Sequence, residues 1–424
     1  MSVLQGEITA ARRPPVVNAL APAAPILVQK FGGSSLSTPA KLRAVAERIV
    51  AAKRRGYALV AVVSAMGDAT DDLLALAREV SASPLARELD ALLATGEAVS
   101  AALLAMAIQG LGERAVSFSG GACGILTNAV HGNARILEVH PSKVRAALDD
   151  DAIVVATGFQ GVSAAGEVTT LGRGGSDTSA VALAAALDAE RCEIYTDVEG
   201  VFSADPRRIP TAQRIESIGS DELEELAWHG AQVVKAEAVE FAADNHVPLL
   251  VASTFAGGGG TLIRPSRKEA ERFRPRVPEV AGVAGRKDLL RLVVPATLGP
   301  ARAELLSKIG GYDLVFGALG TPCELYLSTL EMIDPGHLSR ELRERCGESV
   351  AVEEGLGAVS IVGFGLGSRP AALFDAARCV EAAGGRVQRS FTGRESLTFV
   401  LAAEQVDRCV AELHRVYIEK RKDH

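Results

Sequence analysis

Ile26-Leu27-Val28-Gln29-Lys30-Phe31-Gly32-Gly33-Ser34-Ser35 is the stretch on which the fold turns. An apolar run ends in a lysine, two glycines follow, and a helical pattern begins a few residues later. Thr38 and Pro39 occupy the N-cap and first helical position of a helix expected to run to about Lys53. A strand, a glycine turn and a helix in that order predict one unit of an α/β sheet. Outward from it the pattern repeats. Tyr57 to Ser64 is a second apolar strand, a helical stretch follows Asp71, and a long one covers Leu85 to Gln109. Ile153–Ala156, Cys192–Thr196 and Pro248–Ala252 are further buried-type strands separated by helical patterns. The alternation predicts a mostly parallel sheet with helices on both faces, hence three layers, α/β/α. Such sheets hold ligands at the C-terminal ends of their strands, where the glycine-rich segments fall.

The 424 residues predict two or three domains. Lys plus Arg number 45 against 52 Asp plus Glu, a net charge of −7 without an extended basic run, which argues against nucleic acid or an anionic membrane as partner. Scarce aromatic residues speak against a base-stacking platform. The six cysteines are scattered, with no CxxC pair or Cys/His ligand spacing, and read as reduced thiols. Residues 1–25 lack an apolar signal core and read as a disordered tail, so a cytoplasmic location is expected.

Three segments carry chemistry. In the first, Lys30 with Gly32 and Gly33 combines a cation with backbone N–H groups that a phosphate can approach, although Gly-Gly after a strand is also an ordinary turn. The second is Thr169-Thr170-Leu171-Gly172-Arg173-Gly174-Gly175-Ser176-Asp177-Thr178-Ser179, leading into the apolar helix of residues 180–189. Capping accounts for Ser176 and Asp177 but not for the Gly-Arg-Gly-Gly run, where Arg173 can clamp a carboxylate or phosphate through two hydrogen bonds. The third runs from Glu193 to Pro206, a strand followed by a loop carrying Val201-Phe202 and Asp205-Pro206. It can cradle an adenosine or be a plain strand and turn. No GxxxxGK[ST] loop and no protein-kinase HRD/DFG set is present. Gly363-Phe364-Gly365-Leu366-Gly367 has the wrong spacing for a dinucleotide loop.

Beyond 255 the chain becomes rich in Gly, Pro and Arg, and 263–282 is expected to be a linker. The rest contains two similar cycles, 283–357 and 358–424, each a β-α-β-β-α unit of about 60 residues close to a ferredoxin-like half sandwich. In the first cycle strands are expected at Leu289–Val294, Asp313–Leu319 and Cys323–Ser328, with a short fourth at Val350–Val352. Helices are expected at Gly299–Ile309 and Pro335–Cys346. The second cycle opens with a strand at Ala358–Gly363.

Together and in this order, Lys30–Ser35, Val62–Leu74, Leu92–Ile108, His131–Ile136, Gly158–Gly161, Thr169–Leu187 and Glu193–Arg207 resemble the aspartate kinases of the amino acid kinase family. The two C-terminal cycles resemble their paired ACT repeats. The resemblance implies that ATP phosphorylates the β-carboxylate of L-aspartate, feeding lysine and threonine biosynthesis, in a homodimer or larger homo-oligomer joined through the repeats. Residue by residue, it implies that Lys30 stabilises the transferring phosphoryl group and Asp177 organises the active-site lysines. Thr70, Glu97 and Arg173 hold aspartate, Glu97 through its amino group and Arg173 through its α-carboxylate, beside Gly174, Gly175 and Ser176. Lys30, Gly32, Gly33, Ser64, Tyr195, Thr196, Asp197, Val201, Phe202, Asp205, Pro206, Gln232 and Lys235 surround ATP. Mg²⁺ rides on the phosphates without a nameable protein ligand.

Two departures matter. Gln232 stands where the family has a lysine that reaches the nucleotide phosphates, and a neutral amide does not offset phosphate charge. Lys235, three residues on and expected on the same helix face, is the candidate substitute. The stretches Ala296–Pro300, Asp313–Gly317 and Phe391–Arg394 also differ from the family's sensor turns, so weak or absent feedback is expected. Rival readings are a regulatory paralogue that keeps the fold without catalysis, and a sister kinase acting on another acidic substrate.

Overall fold

The computed structural model describes residues 24–172, 174–231, 234–264, 280–295, 314–318, 320, 322–330 and 350–419. The expected tail lies almost wholly outside them, as do Arg173, Gln232 and both expected helices of the first cycle.

The chain opens with β1 (Ile26–Phe31), the short α1 (Gly33–Leu36), α2 (Pro39–Arg54), β2 (Ala58–Val63), α3 (Ala69–Val80) and α4 (Ala86–Gly110). The Thr38 side chain accepts from the Lys41 N–H and Pro39 sits in the first turn of α2, as the sequence predicts. In α4 the buried residues Asp90, Ala94, Glu97, Ala101, Leu104 and Ile108 recur every three or four positions, a stripe that lays the helix on the sheet. Next come β3 (Ala115–Phe118), β4 (Ile125–Thr127), β5 (Ile136–Val139), α5 (Ser142–Asp149), β6 (Ile153–Thr157), β7 (Gln160–Ser163) and β8 (Val168–Thr170). Then follow α6 (Gly175–Ala186), β9 (Arg191–Thr196), β10 (Ser217–Gly219), α7 (Ser220–Trp228), α8 (Ala236–Asp244), β11 (Leu249–Ser253) and β12 (Thr261–Arg264).

Eight of these strands form one sheet in the order β10-β12-β11-β9-β1-β2-β6-β3. From β11 to β3 every pairing is parallel, and only β12 reverses against β11. Two apolar layers cover its faces, one centred on Val28, Val60 and Leu183, the other on Leu27, Phe31 and Ile49. Alternate residues of β1 therefore serve opposite layers, as a doubly covered strand requires. A small sheet in the order β5-β4-β7-β8 stands beside it, which the sequence did not announce because its strands have only three or four residues.

The C-terminal part contains β13 (Val280–Val294), β14 (Leu314–Ala318), β15 (Cys323–Ser328), β16 (Ala351–Gly363), α9 (Pro370–Ala382), β17 (Arg389–Thr392), β18 (Ser396–Ala402) and α10 (Val406–His414). Its strands form one antiparallel sheet, β14-β15-β13-β16-β18-β17. Two expectations need correction. The strand expected at Leu289–Val294 begins at Val280, and the strands expected at Val350–Val352 and Ala358–Gly363 are one strand, Ala351–Gly363. Glycines in both segments serve packing. A Cβ on Gly285 would lie 2.6 Å from Val410 and 2.8 Å from Val406, so its absence lets α10 press onto β13.

Candidate active site

Because β1, β2, β6, β9 and β11 run parallel, their C-terminal ends meet at one edge, and the loops after Phe31, Val63, Thr157 and Thr196 converge there. At its centre Lys30 Nζ lies 2.6 Å from Asp177 Oδ1, both side chains largely buried. Lys30 leaves the end of β1 and Asp177 sits in the first turn of α6, where an acid also complements the helix dipole. A Cβ on Gly32 would stand 3.6 Å from Lys30 Nζ, so the glycine keeps the ammonium's flank open. Gly33 instead permits a close backbone approach. A Cβ there would meet the Ala65 carbonyl at 2.7 Å, and the Gly33 carbonyl accepts from the Gly67 N–H.

Glu97 reaches this edge through the Ala65 loop that Gly33 also meets. Gly96 lets α4 approach the loop after β2, with Ala65 Cβ only 3.0 Å from where a side chain would begin. The Ala65 N–H donates to Glu97 Oε1 at 3.2 Å, whereas Oε2 is buried and accepts no hydrogen bond. Burial pushes the Glu97 carboxyl up to about 7 despite the backbone bonds that oppose it. A buried carboxylate with one unserved oxygen is suited to a cationic group from a ligand. Thr70 lies half-buried in the first turn of α3.

The loop before α6 is built on Gly172 and Gly174, both with φ of 74° in the left-handed region. Ser176 approaches Gly158 so closely that a Cβ there would sit 2.7 Å away, and Ser64 Oγ donates to Ser176 Oγ at 3.1 Å. Next to Gly158, Phe159 takes φ of 66°, uncommon for a side chain of its size. Arg173, between the two left-handed glycines, lies outside the described residues.

A cavity of about 550 Å³ opens beside this edge, lined among others by Thr196, Asp197, Phe202, Asp205, Pro206 and Ala231. Not all of the third segment points into it. Val201 is buried in the core, its N–H donating to Thr261 Oγ1. The Tyr195 ring stacks on Phe31 with centroids 5.1 Å apart, and its hydroxyl donates to Glu193, leaving only its carbonyl, bound to the Gly32 N–H, at the strand end.

Lys235 requires a correction. Lys235 does not lie within a helix: α7 ends at Trp228, His229 caps it, and Lys235 is the N-cap of α8. The helix-face argument that joined Lys235 to Gln232 therefore fails, and Gln232 lies outside the described residues. Yet the connecting turn lays the aliphatic part of Lys235 across Gly174, so close that a Cβ on that glycine would be 2.8 Å from Cδ.

Sequence reading missed Asp90. Its carboxylate, buried in α4, accepts from the Gly132 N–H, His131 Nδ1 and Thr170 Oγ1. It thereby ties the His131–Asn133 turn to the end of β8, from which the Gly172–Gly174 loop departs. The spacing of Asp90 and Glu97, seven residues and two turns apart on one helix, was the available signal. Thr254, whose hydroxyl lies 2.6 Å from that of Ser35, also sits at the strand ends without a sequence cue. Among the described residues no group of three His, Cys, Asp or Glu side chains is placed to hold a metal ion. Of the cysteines, 123, 192, 323 and 409 are buried free thiols, Cys379 is partly buried, and Cys346 is outside the described residues.

The profile of the amino acid kinase family matches residues 25–253. The aspartokinase of Mycolicibacterium smegmatis is 39% identical over 414 residues, spanning 92% of this chain and 96% of that protein. The aspartokinase of Geobacillus stearothermophilus is 40% identical over 399 residues, spanning 92% and 97%. Among solved structures, E. coli aspartokinase III in complex with aspartate and ADP superposes with a TM-score of 0.77 over 92% of this chain and 99% of that one, at 24% identity. The fold at that distance, together with relatives matched end to end, leaves one conclusion: the chain belongs to the amino acid kinase family, in its aspartokinase branch.

Proposed function

We propose that the chain transfers the γ-phosphoryl group of ATP to the β-carboxylate of L-aspartate, giving 4-phospho-L-aspartate and ADP. The observation that carries the choice of substrate is Glu97, a buried carboxylate with one oxygen unserved, in the same strand-end cleft as the Lys30–Asp177 pair. Its complement is the α-ammonium of a free amino acid; an acceptor without one leaves that oxygen orphaned. Arg173 completes the clamp on the α-carboxylate, with Thr70 and Ser176 beside it. The adenosine end of ATP lies in the cavity lined by Thr196, Phe202, Asp205 and Pro206.

The acceptor is already an anion at neutral pH, so no protein base is needed. Its oxygen forms the new O–P bond in line as the bond from the γ-phosphorus to the bridging oxygen breaks and ADP departs with that electron pair. The chain supplies position and positive charge. Lys30, held by Asp177, faces the transferring group, and Lys235, laid over Gly174, supplies the second cation that Gln232 no longer provides. Carried on the nucleotide, Mg²⁺ would supply further charge neutralisation at the phosphates, without a cluster of protein ligands among the described residues.

The division into a catalytic part, 26–262, a connection, 263–282, and two repeats, 283–357 and 358–424, belongs to the same proposal, with β16 running across the junction of the repeats. So do assembly into a homodimer through the repeats and a cytoplasmic location. Among the described residues the single helix long and apolar enough to cross a membrane, α4, is the one that carries Asp90 and Glu97 to the site.

Trapping the acyl phosphate with hydroxylamine tests the substrate. Hydroxamate is expected from aspartate and not from glutamate or from acids lacking the amino group, whereas equal yields from the latter would refute the role of Glu97. Regulation is part of the reading. Phe316, within the altered Asp313–Gly317 stretch, stacks on His229 and Phe391 at 5.8 and 4.8 Å, so an aromatic ring stands in a cavity also lined by Glu225, Arg394, Glu395 and Ser396. Lysine or threonine at millimolar concentration is expected to leave activity within about twofold. Inhibition at sub-millimolar concentration, read by titrating initial rates, would overturn this.

A further inference from the structure

The loop that follows β9 is gripped by the far end of the chain. Ser203, between Phe202 and Asp205, is buried. Its carbonyl accepts from the Val283 N–H of β13 at 2.8 Å, and its N–H donates to the Gln213 carbonyl. Its hydroxyl accepts from the Gln213 N–H at 2.9 Å and lies 2.9 Å from Nε2 of His414, the last residue of α10 and itself fully buried. The Glu419 carboxylate only accepts, so Nδ1 of His414 is the ring nitrogen that carries a hydrogen toward it, and Nε2 faces the Ser203 hydroxyl. Oε1 of Glu419 is 3.1 Å from Nδ1 and also accepts from Thr211 Oγ1. The imidazole is thus held from both sides, by Ser203 at Nε2 and by Glu419 at Nδ1. Around this contact α10 is pressed onto β13 at Gly285, and Asp407 pairs with Arg208 of the loop and Lys287 of β13. Val410 and Gly285 line the same cavity as Phe202 and Pro206.

We infer that His414 is a positioning residue for nucleotide binding: through Ser203 it holds the Val201–Pro206 loop in the shape that receives ATP, so the second repeat sets nucleotide affinity. This rests on the placement of ATP in that cavity. The partners of Glu97 and of the Lys30–Asp177 pair do not include Ser203, so aspartate affinity is spared.

The test is a double-mutant cycle in steady-state kinetics of the full chain, with Ser203→Ala, His414→Ala, the double variant and His414→Gln. Each single alanine is expected to raise KM for ATP about 3- to 10-fold, the change carried by one neutral hydrogen bond, with KM for aspartate within about twofold. The double variant should be no worse than the worse single, and His414→Gln, whose amide oxygen can accept from Ser203, should recover most of the loss. Multiplying effects, or parallel rises in both KM values, would show a merely structural role and overturn the inference. Ser203→Ala alone suffices if His414→Ala fails to fold. Phe202→Ala separates the two levels. If it raises KM for ATP while Ser203→Ala and His414→Ala do not, only this inference falls; if none of the three changes it, the placement of the nucleotide falls as well.

Discussion

Lys30→Ala is expected to lower kcat by about 10³-fold or more while KM for aspartate stays within a few-fold. The transferring phosphoryl group carries charge that grows on its outer oxygens, and in the proposed mechanism Lys30, at the strand end, is the cation that meets it. Its ammonium needs no reorganisation during the reaction, because Asp177 holds it at 2.6 Å and Gly32 leaves its flank open. A group that acts mainly in the transition state affects kcat, not ground-state binding. The substitution also strands the Asp177 carboxylate, whose side chain is only 9% exposed, so some loss of stability accompanies it. Asp177→Asn separates the effects: it keeps the volume and removes the charge that orients Lys30, and kcat should fall by a smaller factor, about 10²-fold. Single-turnover kinetics with radiolabelled ATP measure both. A Lys30→Ala enzyme within about tenfold of wild type would remove Lys30 from the chemistry.

Glu97→Gln is expected to raise KM for aspartate about 10²-fold with KM for ATP unchanged, and at the same time to stabilise the unliganded protein above pH 7. The amide still accepts the Ala65 N–H, so geometry survives and only charge is lost. The sign of the stability change follows from the carboxyl, which burial raises from its ordinary value of 4.5 to about 7. A carboxyl that binds its proton more tightly when folded favours the folded state below its unfolded pKa and loses that advantage as pH rises from about 4.5 to 7. Above pH 7 the buried charge costs roughly 3 kcal/mol, which the glutamine avoids. Thermal denaturation at pH 8 should therefore show the variant more stable, while at pH 4 the two converge. The same titration makes kcat/KM for aspartate in the wild type fall about tenfold per pH unit below pH 7, as Glu97 loses the charge that meets the ammonium. Glu97→Gln should abolish that limb of the profile.

Much of this architecture was legible because it is written in local pattern. The apolar runs of β2, β6 and β11 are nearly continuous, as strands buried on both faces must be, and Thr38-Pro39 marks a helix start without tertiary help. Lys30, Glu97 and Asp177 stood out through resemblance and converge in the structure. What stayed hidden depends on partners distant in sequence. Asp90 reads as one more acid on a long helix until Gly132 and Thr170 arrive as donors. The length of β13 was concealed by Gly282 and Gly285, whose missing side chains admit Leu226 and Val410. Lys235 was placed beside Gln232 by helical spacing, whereas a turn between α7 and α8 delivers it to Gly174. Tyr195, adjacent to the catalytic edge in sequence, turns its ring to the opposite layer, as strand alternation dictates.

The proposed mechanism has Lys235 standing in the role that Gln232 vacated. Aspartyl hydroxamate formation, measured in parallel for wild type, Lys235→Ala and Gln232→Lys, decides whether it does. Expected are an active wild type, a Lys235→Ala variant reduced about 10²-fold at saturating substrates, and a Gln232→Lys variant no better than a few-fold above wild type. A silent wild type that Gln232→Lys awakens would refute this assignment, and would mean that the fold persists here without its chemistry.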